Sequence, residues 1–202
     1  VLCNKTIWLL AIAYIFVYII RFGAEDWMIM YLKNAKGIGL QDATGMIASL
    51  PLVGIVGTMC AGIISDKLFK GKRAPVNLIY LVGVVLTIIA LKFNTNPSLN
   101  YVIIGLLGAF TYGPQMMIGG LCAVESSSKK VASAASGFTG TFGYIGAFLS
   151  ATGTGFLVDK LGKNGVQNWN GAIYFWLASG IICFIICAIL AIDEYKKDSK
   201  KA

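Results

Sequence analysis

The sequence has no histidine, nine acidic residues, four prolines and a charged fraction of only 13%. Without histidine, and with no Cys-x-x-Cys pair, the usual ligand sets for zinc are absent, so neither a metal nor a cofactor is expected. No nucleophile is set beside a base, which makes an enzymatic role the least expected one. The five cysteines are Cys3, Cys60, Cys122, Cys183 and Cys187. All but Cys3 lie in or at the ends of apolar runs and read as small lipid- or core-facing residues. A cleavable signal peptide is also lacking, because the first apolar run is too long and carries Arg21, Glu25 and Asp26. The chain opens on Val1 and enters an apolar run almost at once, so a piece of a longer protein is expected.

Scarce charge comes with abundant apolar surface. The hydrophobic fraction is 57%, against about 45–50% in soluble domains, where charged residues make up about 25%. A water-soluble fold of 202 residues cannot hide that excess, and lipid is the solvent that accepts it. A hydrocarbon core of about 30 Å needs about 20 helical residues. Six stretches supply them: residues 7–32, 44–65, 76–91, 101–122, 133–158 and 171–192. None alternates as a barrel strand does, and backbone in lipid must satisfy its own hydrogen bonds, so an all-α polytopic membrane protein is expected. Residues 1–192 form its six-helix membrane unit and residues 193–202 a basic tail.

The net charge of +8 does not imply a nucleic-acid partner, because the basic residues sit in short clusters between apolar runs. They set topology instead. The N-terminus, second and fourth loops and tail carry Lys5, Lys67, Lys70, Lys72, Arg73, Lys129, Lys130, Lys196, Lys197, Lys200 and Lys201. The opposite side carries Lys33, Lys36, Lys92, Lys160 and Lys163. Eleven against five predicts that both termini are cytoplasmic. One echo stands out: Gly62-Ile-Ile-Ser-Asp66-Lys67-Leu68 closes the second span and Gly155-Phe-Leu-Val-Asp159-Lys160-Leu161 the fifth. A three-plus-three inverted repeat pairs those two spans.

Arg21 lies fourteen residues beyond Ile7, about 21 Å along a helix and well inside the membrane. Arginine there costs about 2.5–3.5 kcal/mol on the insertion scale, and intramembrane ionisable residues default to function. At 100° per residue Tyr14, Tyr18, Arg21 and Glu25 share an arc of about 60°, with Asp26 about 100° further round. A guanidinium flanked by tyrosine hydroxyls is a receptor for a phosphate dianion, because its planar fork donates two parallel hydrogen bonds and never loses its charge. The alternative is a pair with Glu25 or Asp26 that only ties helices together. The two can also be sequential states, a carboxylate holding the arginine until phosphate displaces it.

The later spans carry packing features. Pro114, within Tyr112-Gly113-Pro114-Gln115, predicts a kink near Tyr112. Gly137, Gly140, Gly143 and Gly146 recur every third residue and predict close helix approach, either static or sliding. Tyr144 is the polar exception in that run, placed to face a cavity. The loop Asp66-Lys67-Leu68-Phe69-Lys70-Gly71-Lys72-Arg73 reads as a short basic hinge.

Together these residues resemble the major facilitator superfamily, and more narrowly its organophosphate:phosphate antiporters: the glycerol-3-phosphate and hexose-6-phosphate transporters and their sensor relatives. Four segments carry the resemblance: Phe16-Val17-Tyr18-Ile19-Ile20-Arg21-Phe22-Gly23 with Asp26-Trp27, the loop ending at Arg73, Tyr112-Gly113-Pro114-Gln115-Met116, and Gly137-Phe138-Thr139-Gly140 running into Gly143-Tyr144-Ile145-Gly146. It covers essentially the whole chain and aligns it with the C-terminal six helices of a twelve-helix fold. The resemblance implies that Arg21 is the phosphate-binding arginine of this half. It implies that Tyr18 and Asp26 line the same cavity, that Tyr112 and Tyr144 face it, and that Tyr14, Glu25 and Gln115 are further candidates. Gly71 falls two residues late in the superfamily's loop signature. Many relatives carry a glutamate where this sequence has Pro51, so no gating role for that carboxylate carries over. The implied partners are an organic phosphate, inorganic phosphate, the lipid bilayer and a missing N-terminal six-helix half. Exchange transport is the first functional expectation. A sugar-phosphate sensor of the same fold and a non-functional truncated relic are the others.

Overall fold

The computed structural model describes residues 1–2, 4–160 and 167–199, and among these the chain is helical throughout its apolar runs. The expectations that involve Cys3, Leu161, Lys163, Lys200 and Lys201, and the side chain of Lys197, lie outside the described residues. The helices are α1 (Lys5–Asp26), α2 (Met28–Lys36), α3 (Leu40–Lys67), α4 (Ala74–Phe93), α5 (Pro97–Met116), α6 (Ala123–Glu125), α7 (Ala132–Lys160) and α8 (Trp169–Ser199). A π-helical segment, Met117–Cys122, carries α5 into α6, and a 3-10 turn, Lys129–Val131, leads into α7. Six stretches are long and apolar enough to cross a membrane: Lys5–Asp26, Leu40–Lys67, Ala74–Phe93, Pro97–Glu125, Lys129–Lys160 and Trp169–Lys196.

Local chemistry sets several of the ends. The side-chain oxygens of Asn4, Asn96 and Asn168 accept from the backbone N–H groups of Thr6, Ser98 and Asn170 at 2.9–3.0 Å, capping α1, α5 and α8. Gly37 closes α2 at φ 67°, and Gly71 turns the loop after α3 at φ 84°, both in the left-handed region that glycine enters without strain. That loop is tied down rather than a free hinge. Arg73 donates to Asp66 at 2.7 Å, to the Ser65 hydroxyl at 3.0 Å and to Glu125 at 3.3 Å, joining the end of α3 to α6.

One expectation needs correction. The first apolar run is not one span to residue 32, because the helix breaks at Trp27 and α2 starts anew. The break lets the Trp27 ring pack beside Gly155 of α7 and edge-on to Trp169, 6.4 Å between centroids, while Met28, Tyr31 and Leu32 turn into the core. Pro114 lies inside α5, which continues to Met116. An irregularity falls one turn later, where hydrogen bonding widens to the π pattern over Met117–Cys122. There the Tyr14 ring fills the space that a side chain at Gly119 would need, and the Ser136 hydroxyl donates to the Gly119 carbonyl at 3.1 Å.

The five principal packing pairs are α3 with α5, α1 with α7, α4 with α5, α4 with α8, and α1 with α8. Exchanging each span for the one three places on maps this set onto itself, as a three-plus-three repeat requires. The repeat is visible in register as well. Met46, Leu50, Gly57, Ala61 and Ser65 are buried on α3, and Thr139, Gly143, Ser150, Thr154 and Val158 on α7, each pair 93 residues apart. The same offset relates Asp66 to Asp159 in the two sequence echoes. Small residues dominate both faces because the helix axes are close: a Cβ at Gly108 would collide with the Leu50 carbonyl, and one at Gly146 with the Ile15 carbonyl. Of the glycine run, only Gly143 and Gly146 serve this contact. A Cβ at Gly137 or Gly140 meets nothing within 4 Å.

Outward faces are apolar. Leu52, Ile55, Val56, Met59 and Ile63 on α3, and Ile181, Ile185, Ile189 and Ile192 on α8, are exposed at helical spacing. Continuous apolar stripes of this size have lipid as their natural solvent. α1 and α5 are the helices most enclosed by the others, with 61% of each span's apolar window buried. They also carry the charged and aromatic site.

Candidate substrate site

Arg21 sits one turn before the end of α1 with its side chain 23% exposed. Its Nε donates to Glu25 Oε1 at 3.0 Å, the i+4 neighbour on the same face. The same carboxylate oxygen accepts from the hydroxyl of Tyr112 on α5, so Glu25 bridges the two central helices. Of the two carboxylates expected as partners, Glu25 is the one that pairs, so Arg21 has its counter-ion within its own helix. The pair uses only Nε, and the Nη1–Nη2 edge of the guanidinium stays outside it.

Three rings surround the guanidinium. The guanidinium carbon lies 5.1 Å from the Tyr112 centroid, 5.3 Å from Phe22 and 5.8 Å from Tyr18, all within cation–π range. Tyr14 extends the wall, its hydroxyl donating to that of Tyr18 at 3.4 Å and its ring 4.6 Å from the Tyr18 ring. Tyr144 of α7 stands edge-on to Tyr18 at 6.0 Å, but it is 70% exposed, on an open face and not within a closed cavity. Gln115, three residues beyond Tyr112, has a buried side-chain oxygen with no hydrogen-bond partner among the described residues.

The expected residues therefore separate. Tyr14, Tyr18, Arg21, Glu25 and Tyr112 converge, Tyr144 touches the edge of the group, and Gln115 adds an unpartnered acceptor nearby on α5. Asp26 is exposed on the last turn of α1 and makes no ion pair or hydrogen bond among the described residues. Phe22 is the member that helical spacing did not bring forward. As the i+1 neighbour of Arg21 it starts about 100° away, and its ring reaches the guanidinium only by its rotamer. The bond between Glu25 and Tyr112 spans 87 residues and leaves no local trace in the sequence.

Chemically, the cluster is a cation whose Nη edge lies outside the Glu25 hydrogen bond, backed by polarizable ring faces and phenolic donors, beside a carboxylate that competes for it. Such a site accepts an anion with several oxygens, and it can release that anion because Glu25 recovers the guanidinium.

Residues 1–151 match the family model of the Major Facilitator Superfamily, and the chain belongs to that family. It is 38% identical over 193 residues to a glycerol-3-phosphate transporter of Bacillus subtilis, covering 94% of this chain and 42% of the relative. It is 35% identical over 195 residues to the membrane sensor protein UhpC of Escherichia coli, covering 94% and 42%. Against the hexose-6-phosphate:phosphate antiporter of Escherichia coli it is 34% identical over 202 residues, covering 98% and 42%. The chain thus spans about two fifths of the length of these curated relatives, and with its six apolar helices it is half of a major-facilitator fold.

Proposed function

We propose that this chain is the C-terminal half of a carrier that exchanges inorganic phosphate for an organic phosphate by alternating access. Arg21 is the phosphate ligand, with Tyr18, Tyr112 and Tyr144 lining the path, Tyr14 and Gln115 contributing around it, and Asp26 on the exposed end of the same helix, outside the cluster. The observation that carries this reading is the guanidinium inside the span, ringed by Tyr18, Phe22 and Tyr112, with its Nη1–Nη2 edge outside the Glu25 pair. The names of the relatives support the substrate class.

Glu25 gives the exchange a physical basis. In the empty state it neutralises Arg21. A phosphate dianion takes the Nη edge, brings more charge than a carboxylate and weakens the hold of Glu25. The family resemblance implies a second arginine from the opposing half; crossing with the site empty would leave that guanidinium unpaired in a dry cavity, which is costly, so the loaded carrier crosses more readily. The opposing wall comes from an N-terminal half that rocks against this one, with both termini in the cytoplasm.

In the full-length protein reconstituted in liposomes, Arg21→Lys is expected to reduce phosphate counterflow at least tenfold, because an ammonium cannot reproduce the two-pronged contact. Near-normal counterflow removes Arg21 from the site. One relative is a membrane sensor, which favours a second reading: a sugar-phosphate receptor of the same fold. Saturable binding without any counterflow in the wild-type protein selects the sensor.

A further inference from the structure

A second polar site lies at the end of the bundle opposite Arg73, where α2 ends, α4 meets α5 and α8 begins. It is a bowl of about 1080 Å³. Its floor is aromatic and dry: Tyr31 and Trp169 are each 4% exposed, with ring centroids 5.8 Å apart. Trp169 Nε1 is buried there without a hydrogen-bond partner among the described residues, an indole donor left over from folding. Unpaired buried donors are rare, and this one belongs to a residue that lines the bowl.

Lys36 and Lys92 form the walls, both half-buried, and no aspartate or glutamate is among the residues that line the bowl. Lys36 donates to the Asn94 carbonyl and stacks on the Tyr31 ring at 5.9 Å. Lys92 donates to the Tyr174 hydroxyl at 2.8 Å. Neither makes an ion pair among the described residues, and burial lowers the Lys36 pKa from its ordinary value. Asn34 and Gln167, bonded to each other at 2.9 Å, supply amide groups on the rim. Two cations without counter-ions, an orphan N–H, a ring floor and an amide rim together suit one chemistry. That chemistry is a phosphate monoester or diester whose organic part rests on an aromatic surface.

We infer that the bowl formed by Tyr31, Lys36, Lys92, Gln167 and Trp169 is a second phosphate-ester site, separate from Arg21, which binds the phosphate group through the two lysines. Its use as an outer capture point for the transported substrate rests on the transport reading above, whereas binding itself does not. The phosphate comes either from a dissolved organic phosphate or from a lipid headgroup, since both offer the same group at this end of a membrane helix bundle.

The test uses full-length protein carrying Arg21→Lys, so that the central site is disabled in every sample. Labelled glycerol-3-phosphate is titrated in detergent, and bound phosphatidylglycerol is quantified after reconstitution in nanodiscs of phosphatidylglycerol and phosphatidylcholine. Adding Lys36→Gln and Lys92→Gln is expected to weaken one of these at least tenfold. Trp169→Phe, which keeps the ring and removes only the N–H, is expected to weaken the same one about three- to tenfold. Loss of glycerol-3-phosphate binding identifies the dissolved ester as the ligand, and loss of phosphatidylglycerol identifies the headgroup. If both measurements are unchanged in the lysine double variant and in Trp169→Phe, the site does not exist. If Arg21→Lys fails to affect counterflow, the transport reading falls while the phosphatidylglycerol measurement still reads the bowl, and the glycerol-3-phosphate titration is then read as the loss of one of two binding sites.

Discussion

At the scale of single residues, the contest is between Glu25 and an incoming anion for one guanidinium. Their pair is partly exposed, so its strength is about 0.5–1 kcal/mol and not that of a sealed ion pair. Glu25→Gln is therefore expected to tighten equilibrium binding of inorganic phosphate about two- to fivefold. Exchange should slow, because product release loses the competing carboxylate. Equilibrium binding and counterflow on the same preparation check both halves of this prediction, and weaker binding in the variant would remove Glu25 from the role of competitor. Tyr112 acts through the same carboxylate. Tyr112→Phe keeps the ring under the guanidinium and deletes the hydroxyl that Glu25 accepts from, so its effect should resemble that of Glu25→Gln in direction.

At the scale of helices, the small residues of α7 separate into those that set an axis distance and those that do not. Gly146 touches α1, and a methyl there meets the Ile15 carbonyl and the Tyr18 Cβ, neither of which can swing aside. Gly146→Ala is expected to destabilise the protein by about 1–3 kcal/mol. Gly137 faces open space. Gly137→Ala should be neutral or stabilising by up to about 1 kcal/mol, since alanine is the better helix former. Thermal unfolding of the two variants in one detergent distinguishes them, and equal shifts would refute the assignment of faces. The sequence, with four glycines at equal spacing, offered no basis for this separation. A three-residue repeat drifts around a 3.6-residue helix, and which members meet a neighbour depends on where that neighbour lies.

For the whole molecule, the basic bias between the two ends predicts orientation. In a cysteine-free version of the full protein, Ser128→Cys should react with an impermeant thiol reagent only from the cytoplasm, and Thr95→Cys only from outside. Labelling of both from one side would overturn the topology. The fold of the half-bundle was legible to a large degree. Apolar runs longer than a bilayer and the echo around Asp66 and Asp159 were visible in the residues, and the spans and the register of α3 against α7 agree with them. The break at Trp27 and the π segment after Pro114 were not legible, because both depend on what the ring of Trp27 and the ring of Tyr14 find on other helices.

The amino-acid order alone determined that six helices form, that their outer faces meet lipid, and that Tyr14, Tyr18, Arg21 and Glu25 share one face. Each of these follows from local spacing and from transfer between solvents. Only the tertiary structure decided that Glu25 is the partner of Arg21, that Tyr112 reaches it from α5, and that Asp26 stands apart. Those outcomes depend on distances between residues far apart in the chain, and packing of α1 against α5 and α7 sets them.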